Sequence, residues 1–282
     1  ISENITDHNS NILADNHWFG IDHLTDWYPP YYKYCLREDF ISSRNCFKYM
    51  NGKNLLSKCK GLIVLSQQKK EGLKKILKEM KLDIPIYNIL HPITESKSYQ
   101  FSFNKYLKNK SKKILFLGYW NRNFTKFNDL KADNFEKIFI FGGTKKKIWK
   151  YNTFKNDFKY HNKINKTKVS EYLDDNQLYN LLTENICYIN LYDTVANNAI
   201  LDCIYLNTPI LVNKLPSAEE YLGKDYPLFY NDKTDCNNLL SIEQINKAHI
   251  YLKNMDKSKF SFDKFAHQLN SIANSIISKI KI

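Results

Sequence analysis

Short apolar runs, each followed by a charged segment with helical periodicity, recur along most of the chain. A short apolar run suits a strand that is buried on both faces of a parallel sheet. Such runs occupy residues 61–66, 86–90, 113–118, 137–143, 186–192, 209–213 and 227–230. Amphipathic helical segments occupy residues 67–81, 169–183, 197–206 and 216–222. The alternation predicts an α/β fold made of βαβ units around parallel sheets.

A polar stretch rich in Lys, Ser and Asn, residues 94–112, separates two blocks of this alternation. We therefore predict a first domain over residues 1–100, a linker over 101–112 and a second domain over 113–260. The spacing of apolar residues over 241–282 predicts two helices. We expect residues 261–282 to pack back on the first domain. Only His17–Ile21 is a strand candidate ahead of Gly61, so the first domain is predicted to be incomplete or reduced.

Composition excludes several classes of protein. The 282 residues are 43% hydrophobic and 15% aromatic, which is typical of a globular chain. No apolar stretch reaches the roughly 18 residues that a membrane-spanning helix needs. The six cysteines are scattered without a Cys-x-x-Cys pair, which disfavours a zinc site or a disulfide framework. Reduced thiols and a cytoplasmic location are the expectation.

The net charge of +13 raises nucleic acid as a partner. Lysine supplies nearly all of this charge, and the arginines that read base edges best are confined to Arg37, Arg44 and Arg122. Most aromatic residues fall inside the apolar runs, whereas a nucleic-acid surface interleaves aromatic and basic side chains. A basic nucleic-acid-binding module therefore remains an alternative that the sequence does not favour.

The segment 186–213 carries the most specific chemistry. A buried strand ends at Tyr192, a polar loop follows, and a helix begins near Asn197 or Asn198, both favoured helix-capping residues. Ligands of open parallel sheets sit at the carboxyl ends of strands, and a helix N-terminus there suits a diphosphate. Asp202 lies one turn into that helix, where its carboxylate could accept hydrogen bonds from two ribose hydroxyls.

Asp193 and Asp202, followed by Asn207-Thr-Pro-Ile-Leu-Val, resemble the nucleotide-sugar site of GT-B glycosyltransferases. That family places two acidic residues along the loop and helix, then Gly or Asn, any residue, Pro and a strand. The run Lys214–Gly223 resembles the loop and helix that follow. Two departures stand out: the family uses Glu, spaced one residue closer, and its usual Gly is Asn207 here.

Other segments extend the resemblance. Cys59–Ser66 and His91-Pro92 resemble the end of the family's first domain, and Lys113–Gly118 resembles the first strand of its second domain. In the family the loop after that strand faces the diphosphate. The resemblance therefore implies that Gly118, Arg122, Asn123 and Lys126 bind the nucleotide-sugar, together with Asp193, Asn197, Asn198 and Asp202. The overall amino-acid composition resembles that of glycosyltransferases from AT-rich giant viruses.

The resemblance implies two Rossmann-like parallel-sheet domains that face a cleft, and transfer of a sugar from a nucleoside diphosphate sugar to a glycan or protein-linked acceptor. No Asp-x-Asp occurs, so neither a metal nor another cofactor is expected, and Arg122 and Lys126 would stabilise the leaving group. His23, oriented by Asp22, is the candidate general base of an inverting reaction.

Two further alternatives share the fold. A GT-B-like domain could bind a nucleotide-sugar or a glycan without turnover, which the short first block keeps open. A nucleotide-sugar epimerase of the same two-domain fold would carry a similar donor site. We expect no membrane span, and nucleic acid is the partner that the sequence favours least.

Overall fold

The computed structural model describes residues 12–14, 59–93, 99–118, 122–140, 167–170, 173–191, 198–231 and 236–280. The first sheet holds three parallel strands, β1 (Ile12–Ala14), β2 (Gly61–Val64) and β3 (Ile86–Asn88), in that order. Helix α1 (Gln67–Glu79) connects β2 to β3. Strand β1 was not predicted, and the strand predicted at residues 17–21 lies outside the described residues.

The second sheet holds six parallel strands in the order β6-β5-β4-β7-β8-β9. These strands are β4 (Lys113–Leu117), β5 (Glu136–Ile140), β6 (Thr167–Ser170), β7 (Ile186–Ile189), β8 (Ile210–Asn213) and β9 (Phe229–Tyr230). The helices around and beyond them are α2 (Phe103–Lys108), α3 (Phe124–Asp129), α4 (Asp175–Leu182), α5 (Asn198–Leu206), α6 (Pro216–Leu222), α7 (Cys236–Leu239), α8 (Ile242–Asn254) and α9 (Phe262–Ile280).

This strand order has a functional meaning. Numbered from β4, the sheet reads 3-2-1-4-5-6, the doubly wound Rossmann order. The chain builds outward from β4 in one direction, then returns to place β7 on the opposite side of β4. A crevice therefore opens between the carboxyl ends of β4 and β7, at the point where the winding direction reverses.

The core of the second sheet is apolar and aromatic. Strand β7 is buried along its whole length, and β4 and β8 along all but one residue each. The ring of Phe127 stacks 5.0 Å from Phe116 and lies 5.4 Å from Tyr188. Because both faces of these strands are covered, their sequences are continuous apolar runs, as the sequence predicted.

Strand β2 alternates between two clusters. Leu62 and Val64 pack against α1, while Ile63 and Leu65 join the core that also contains the second sheet. Residues 101–112, the predicted linker, contain helix α2 and bury Phe101 and Tyr106. The connection is therefore packed against the second sheet.

One helix prediction is wrong. The helix expected over residues 169–183 begins only at Asp175, because β6 occupies Thr167–Ser170 and pairs in parallel with β5. The side chain of Asp174 accepts a hydrogen bond from the backbone of Gln177, whose side chain caps Asp174 in return. This capping box fixes the start of α4.

Helices α8 and α9 follow the prediction over residues 241–282, with a short 3₁₀ helix (Ser258–Phe260) between them. A methyl group added at Gly61 would come within 2.8 Å of Ile276, so α9 packs directly on β2. The first residues of both helices, Ile242 and Phe262, are 56% and 65% exposed and lie outside the core. Across the described part of the chain, none of the helices has the length and apolarity to cross a membrane.

Candidate functional site

Two loops meet at the reversal point of the second sheet. The backbone N–H of Asn123 donates to the carbonyl of Asn190 over 2.8 Å, and Arg122 forms an antiparallel bridge with Leu191. The first loop follows β4 and the second follows β7. The predicted diphosphate loop and the predicted ribose segment are therefore joined at the crevice where a doubly wound sheet binds its ligands.

Gly118 shapes the first loop. It has a φ of +68°, and its N–H donates to the carbonyl of Ile140 over 2.8 Å. A Cβ atom at this position would lie 2.1 Å from Nη1 of Arg122. Glycine suits this position because it adopts the left-handed backbone without strain and leaves the space that the guanidinium occupies. The residue predicted from the motif thus holds Arg122 over the end of β4.

Asp202 lies on α5 with its carboxyl partly buried, while its neighbours Leu201 and Cys203 are fully in the core. The pKa of Asp202 is raised to about 7, mainly by burial and in smaller part by the negative charge of Asp175. The positive charge of Arg122 opposes both effects. Arg122 and Asp202, predicted from separate motifs, therefore share one electrostatic environment.

Tyr179 and Asp175, both on α4, complete this environment. Burial raises the pKa of the Tyr179 phenol to about 12, and the charges of Asp202 and Asp175 contribute. Sequence reasoning missed both residues. The capping box at Asp174 was the available signal, because it places Asp175 and Tyr179 one turn apart on a helix that starts at the ligand edge of the sheet.

The remaining described candidates lie around the crevice. The side-chain oxygen of Asn123 accepts the backbone N–H of Lys126 over 3.2 Å and so caps α3. Lys126 is exposed on the first turn of α3, and Asn198 is exposed as the first residue of α5. The structure therefore assigns a capping role to Asn123 and leaves Lys126 and Asn198 at the surface.

Four candidates lie outside the described residues. Asp193 and Asn197 precede α5 in the sequence, and Asp22 and His23 lie in the predicted first domain. Their assignments remain predictions from sequence.

An amide clamp that the sequence analysis missed holds the end of β7. The side chain of Asn213 accepts from the N–H of Leu191 over 2.8 Å and donates to its carbonyl over 2.9 Å. Asn190 donates to the hydroxyl of Tyr230 over 2.8 Å. These asparagines replace strand pairing where β7 leaves the sheet, and so fix the loop that carries Leu191 beside Arg122.

The replacement of the usual glycine by Asn207 has a structural reason. Asn207 has a φ of +60° at the end of α5, a conformation that asparagine tolerates better than other non-glycine residues. Its side chain bonds Gln100 and Lys257, and its carbonyl contacts Nδ1 of His249 at 3.0 Å. Asn207 therefore keeps the required turn and joins the connection between the domains to the segment after α8.

The described residues supply a guanidinium, a partly buried carboxylate and the start of α5 at one crevice. Within these residues, no three His, Cys, Asp or Glu side chains converge as a metal site would require. A cation beside a helix N-terminus suits a diphosphate, and a carboxylate nearby suits vicinal hydroxyls.

Comparison with known proteins supports this geometry at the level of the fold. No protein-family model and no curated protein matches the sequence. HepE of Anabaena, solved with UDP-glucose, is 10% identical, with a TM-score of 0.60 over 97% of this chain and 80% of that one. Trehalose-6-phosphate synthase of E. coli, bound with UDP-2-fluoro glucose, is 9% identical, with a TM-score of 0.59 over 85% of this chain and 65% of that one.

The UDP-forming α,α-trehalose-phosphate synthase of Burkholderia vietnamiensis is 10% identical, with a TM-score of 0.55 over 83% of this chain. The chain spans 65% of the length of that synthase. Two parallel sheets, the doubly wound order of the second sheet and these likenesses lead to one conclusion. The chain has the GT-B fold of glycosyltransferases, as its sequence predicted.

Proposed function

We propose that this protein is a glycosyltransferase that moves a sugar from a nucleoside diphosphate sugar to a glycan or protein-linked acceptor. The observation that carries the proposal is the convergence of Arg122 and Asp202 at the reversal point of the second sheet. One side chain offers a fixed positive charge and the other an acceptor of hydrogen bonds. A nucleoside diphosphate presents the matching groups, two phosphates and a ribose diol.

Arg122 serves the diphosphate in this proposal. Its guanidinium is held over Gly118, at the carboxyl end of β4, and the first N–H groups of α5 approach the same crevice. A guanidinium binds phosphate oxygens in a planar, two-pronged geometry. As the bond between the sugar and the diphosphate breaks, negative charge grows on the leaving group, and the same contacts stabilise it. No metal is needed for this role.

Asp202 serves the ribose. Its carboxylate, when deprotonated, can accept hydrogen bonds from both vicinal hydroxyls, which orients the nucleoside. The charge of Arg122 favours that deprotonated form. HepE and the E. coli synthase were solved with UDP-linked sugars, so UDP-glucose is the first donor to test.

The acceptor side of the reaction is assigned to His23, with Asp22 as its orienting partner. In an inverting transfer the acceptor oxygen forms a bond to the anomeric carbon and the sugar–phosphate bond breaks. The acceptor proton passes to the imidazole of His23, and the nucleoside diphosphate leaves with the electron pair. In a retaining transfer this base would not be needed.

Calorimetry with UDP, GDP and dTDP tests the donor site, in EDTA and without it. Mass spectrometry of mixtures with UDP-, GDP- and dTDP-sugars tests transfer. We expect one nucleotide to bind equally well in EDTA, and Asp202→Asn to weaken it by about 10- to 150-fold, the effect of one lost charge-assisted hydrogen bond. The exposed Asp133 provides the matched control, Asp133→Asn, which should bind like the parent. Binding that disappears in EDTA, or that survives unchanged in Asp202→Asn, contradicts the proposal.

A further inference from the structure

Helix α6 connects the two sheets through polar contacts. The backbone N–H of Ser217 donates to Oε1 of Gln68 over 3.0 Å, and Glu220, one turn later, also reaches the first sheet. Helix α6 follows the carboxyl end of β8, while Gln68 follows the carboxyl end of β2. The carboxyl edges of both sheets therefore face each other at this junction, where a GT-B cleft lies.

Glu220 makes two bonds across the junction with one carboxylate. Its Oε2 accepts the backbone N–H of Gln67 over 2.7 Å, and its Oε1 accepts the side-chain N–H of Asn88 over 2.7 Å. The first bond caps the N-terminus of α1, and the second holds the last residue of β3. Gln67 is exposed, so water can replace the carboxylate when this bond breaks.

An apolar contact lies directly beside these bonds. Tyr221 stacks on Phe260 with ring centroids 5.6 Å apart, and both side chains are at most 2% exposed. The hydroxyl of Tyr221 donates to the carbonyl of Leu65 over 2.7 Å and accepts from the N–H of His91 over 3.1 Å. The N–H of Ile93 donates to the carbonyl of Phe260, so two passages of the chain between the sheets meet here. We call this packed contact between Tyr221 and Phe260 the pivot.

Two buried polar atoms at the junction have no hydrogen-bond partner among the described residues. They are Oδ1 of Asn88 and Oγ of Ser217, and Ser217 is 2% exposed. Buried polar atoms are nearly always paired, so unpaired ones destabilise the arrangement that contains them. Both atoms belong to residues that span the junction. The polar contact between the sheets is therefore poised to break, whereas the pivot beside it is fully packed.

We propose that Glu220 is a releasable tie that sets the opening of the cleft. When its carboxylate leaves Gln67 and Asn88, the first sheet turns about Tyr221 and Phe260, and the crevice above Arg122 becomes accessible for nucleotide exchange. Glu220 is a positioning residue in this inference, since it acts on the distance between the sheets. Its consequence for nucleotide exchange rests on the proposed function, whereas the opening itself does not.

Two substitutions on opposite sides of the junction test the tie. Glu220→Ala removes the carboxylate, and Asn88→Asp places a like charge against it. The matched control is Glu219→Ala on the same helix, because Glu219 pairs with Lys214 at 3.3 Å and does not bridge the sheets. Thermal melts establish that each variant is folded, and the two test variants alter different domains.

Three measurements separate opening from a local loss of structure. Hydrogen exchange of the Gln67 amide should quicken by about 10- to 150-fold in Glu220→Ala, the effect of one lost charge-assisted bond. Small-angle X-ray scattering should show a larger radius of gyration in both test variants than in the parent, and an unchanged one in the control. Stopped-flow measurement with UDP should show faster dissociation in both.

An unchanged radius of gyration in both folded variants contradicts the proposal that Glu220 ties the two sheets together. Wider scattering with an unchanged UDP dissociation rate also overturns it, because opening then does not govern exchange, while the proposed function stands. If UDP binds neither the parent nor any variant, the proposed function fails. The scattering and amide-exchange measurements then decide by themselves whether Glu220 holds the two sheets together.

Discussion

Replacement of Asp202 by Asn should make the protein more stable and less able to bind nucleotide. Folding raises the pKa of the Asp202 carboxyl from 3.8 to about 7. The folded state therefore holds a proton that the unfolded state has released, throughout the pH range between these values. Above pH 7 the folded carboxylate is charged at a partly buried site, and the full destabilisation is present.

The magnitude follows from the shift. About three pKa units correspond to roughly 4 kcal/mol, and residual solvent contact reduces the effect to on the order of 2 to 4 kcal/mol. Asn matches the neutral form of Asp, so the gain should be near zero at pH 4 and greatest at pH 8. Thermal unfolding at several pH values measures it, with an expected rise in Tm of roughly 5 to 10 °C at pH 8.

The second part of this prediction concerns the affinity for nucleotide. UDP-glucose should bind the parent more tightly as pH rises, by about tenfold per unit below pH 7 and not above it, because only the carboxylate accepts both ribose hydroxyls. In Asp202→Asn the affinity should be low and independent of pH. Asp133→Asn, at an exposed turn, should change neither quantity. A variant with no pH-dependent gain in stability would refute the electrostatic reasoning, and one with parental affinity would refute the ribose role.

Substitutions at four further positions address the same crevice and its support. Arg122→Gln should raise the pKa of Asp202 further, because it removes the opposing positive charge, and an unchanged pH profile of UDP affinity would contradict this. Gly118→Ala should cost about 1–2 kcal/mol for its left-handed backbone, and should weaken UDP binding by displacing Arg122; parental affinity by calorimetry would argue against that contact. Asn207→Gly should be more stable to urea than Asn207→Ala by about 1 kcal/mol, since only glycine keeps the left-handed turn freely; equal stability would refute a backbone role. His23→Ala should keep UDP affinity and slow transfer by about 100- to 10,000-fold, and parental turnover would remove the residue from the reaction.

The sequence predicted the second sheet well because its strands are buried on both faces. Strands β4, β7 and β8 are continuous apolar runs that only a covered parallel sheet explains. Strand β6 was missed for the opposite reason. It is an edge strand of Thr-Lys-Val-Ser without an apolar run, and its valine was assigned to the helix that follows.

The candidate site was predicted in part. Gly118, Arg122 and Asp202 carry local signals, since each stands at a fixed place after a strand or within a helix start. The approach of Asp175 to Asp202 carries none, because it depends on how α4 and α5 pack together in the folded chain. The clamp at Asn213 was hidden for a related reason: a polar residue at a strand end does not reveal which backbone group it will bond.

The packing of Ile276 on Gly61 bears on how the protein is made. Gly61 and Ile276 lie far apart along the chain, so β2 is synthesised long before the side chain that covers its first residue. The six-stranded sheet draws all its strands from a continuous stretch of chain and can assemble during translation. The three-stranded sheet completes its packing only after α9 has been synthesised, so part of its apolar surface stays uncovered for longer during translation.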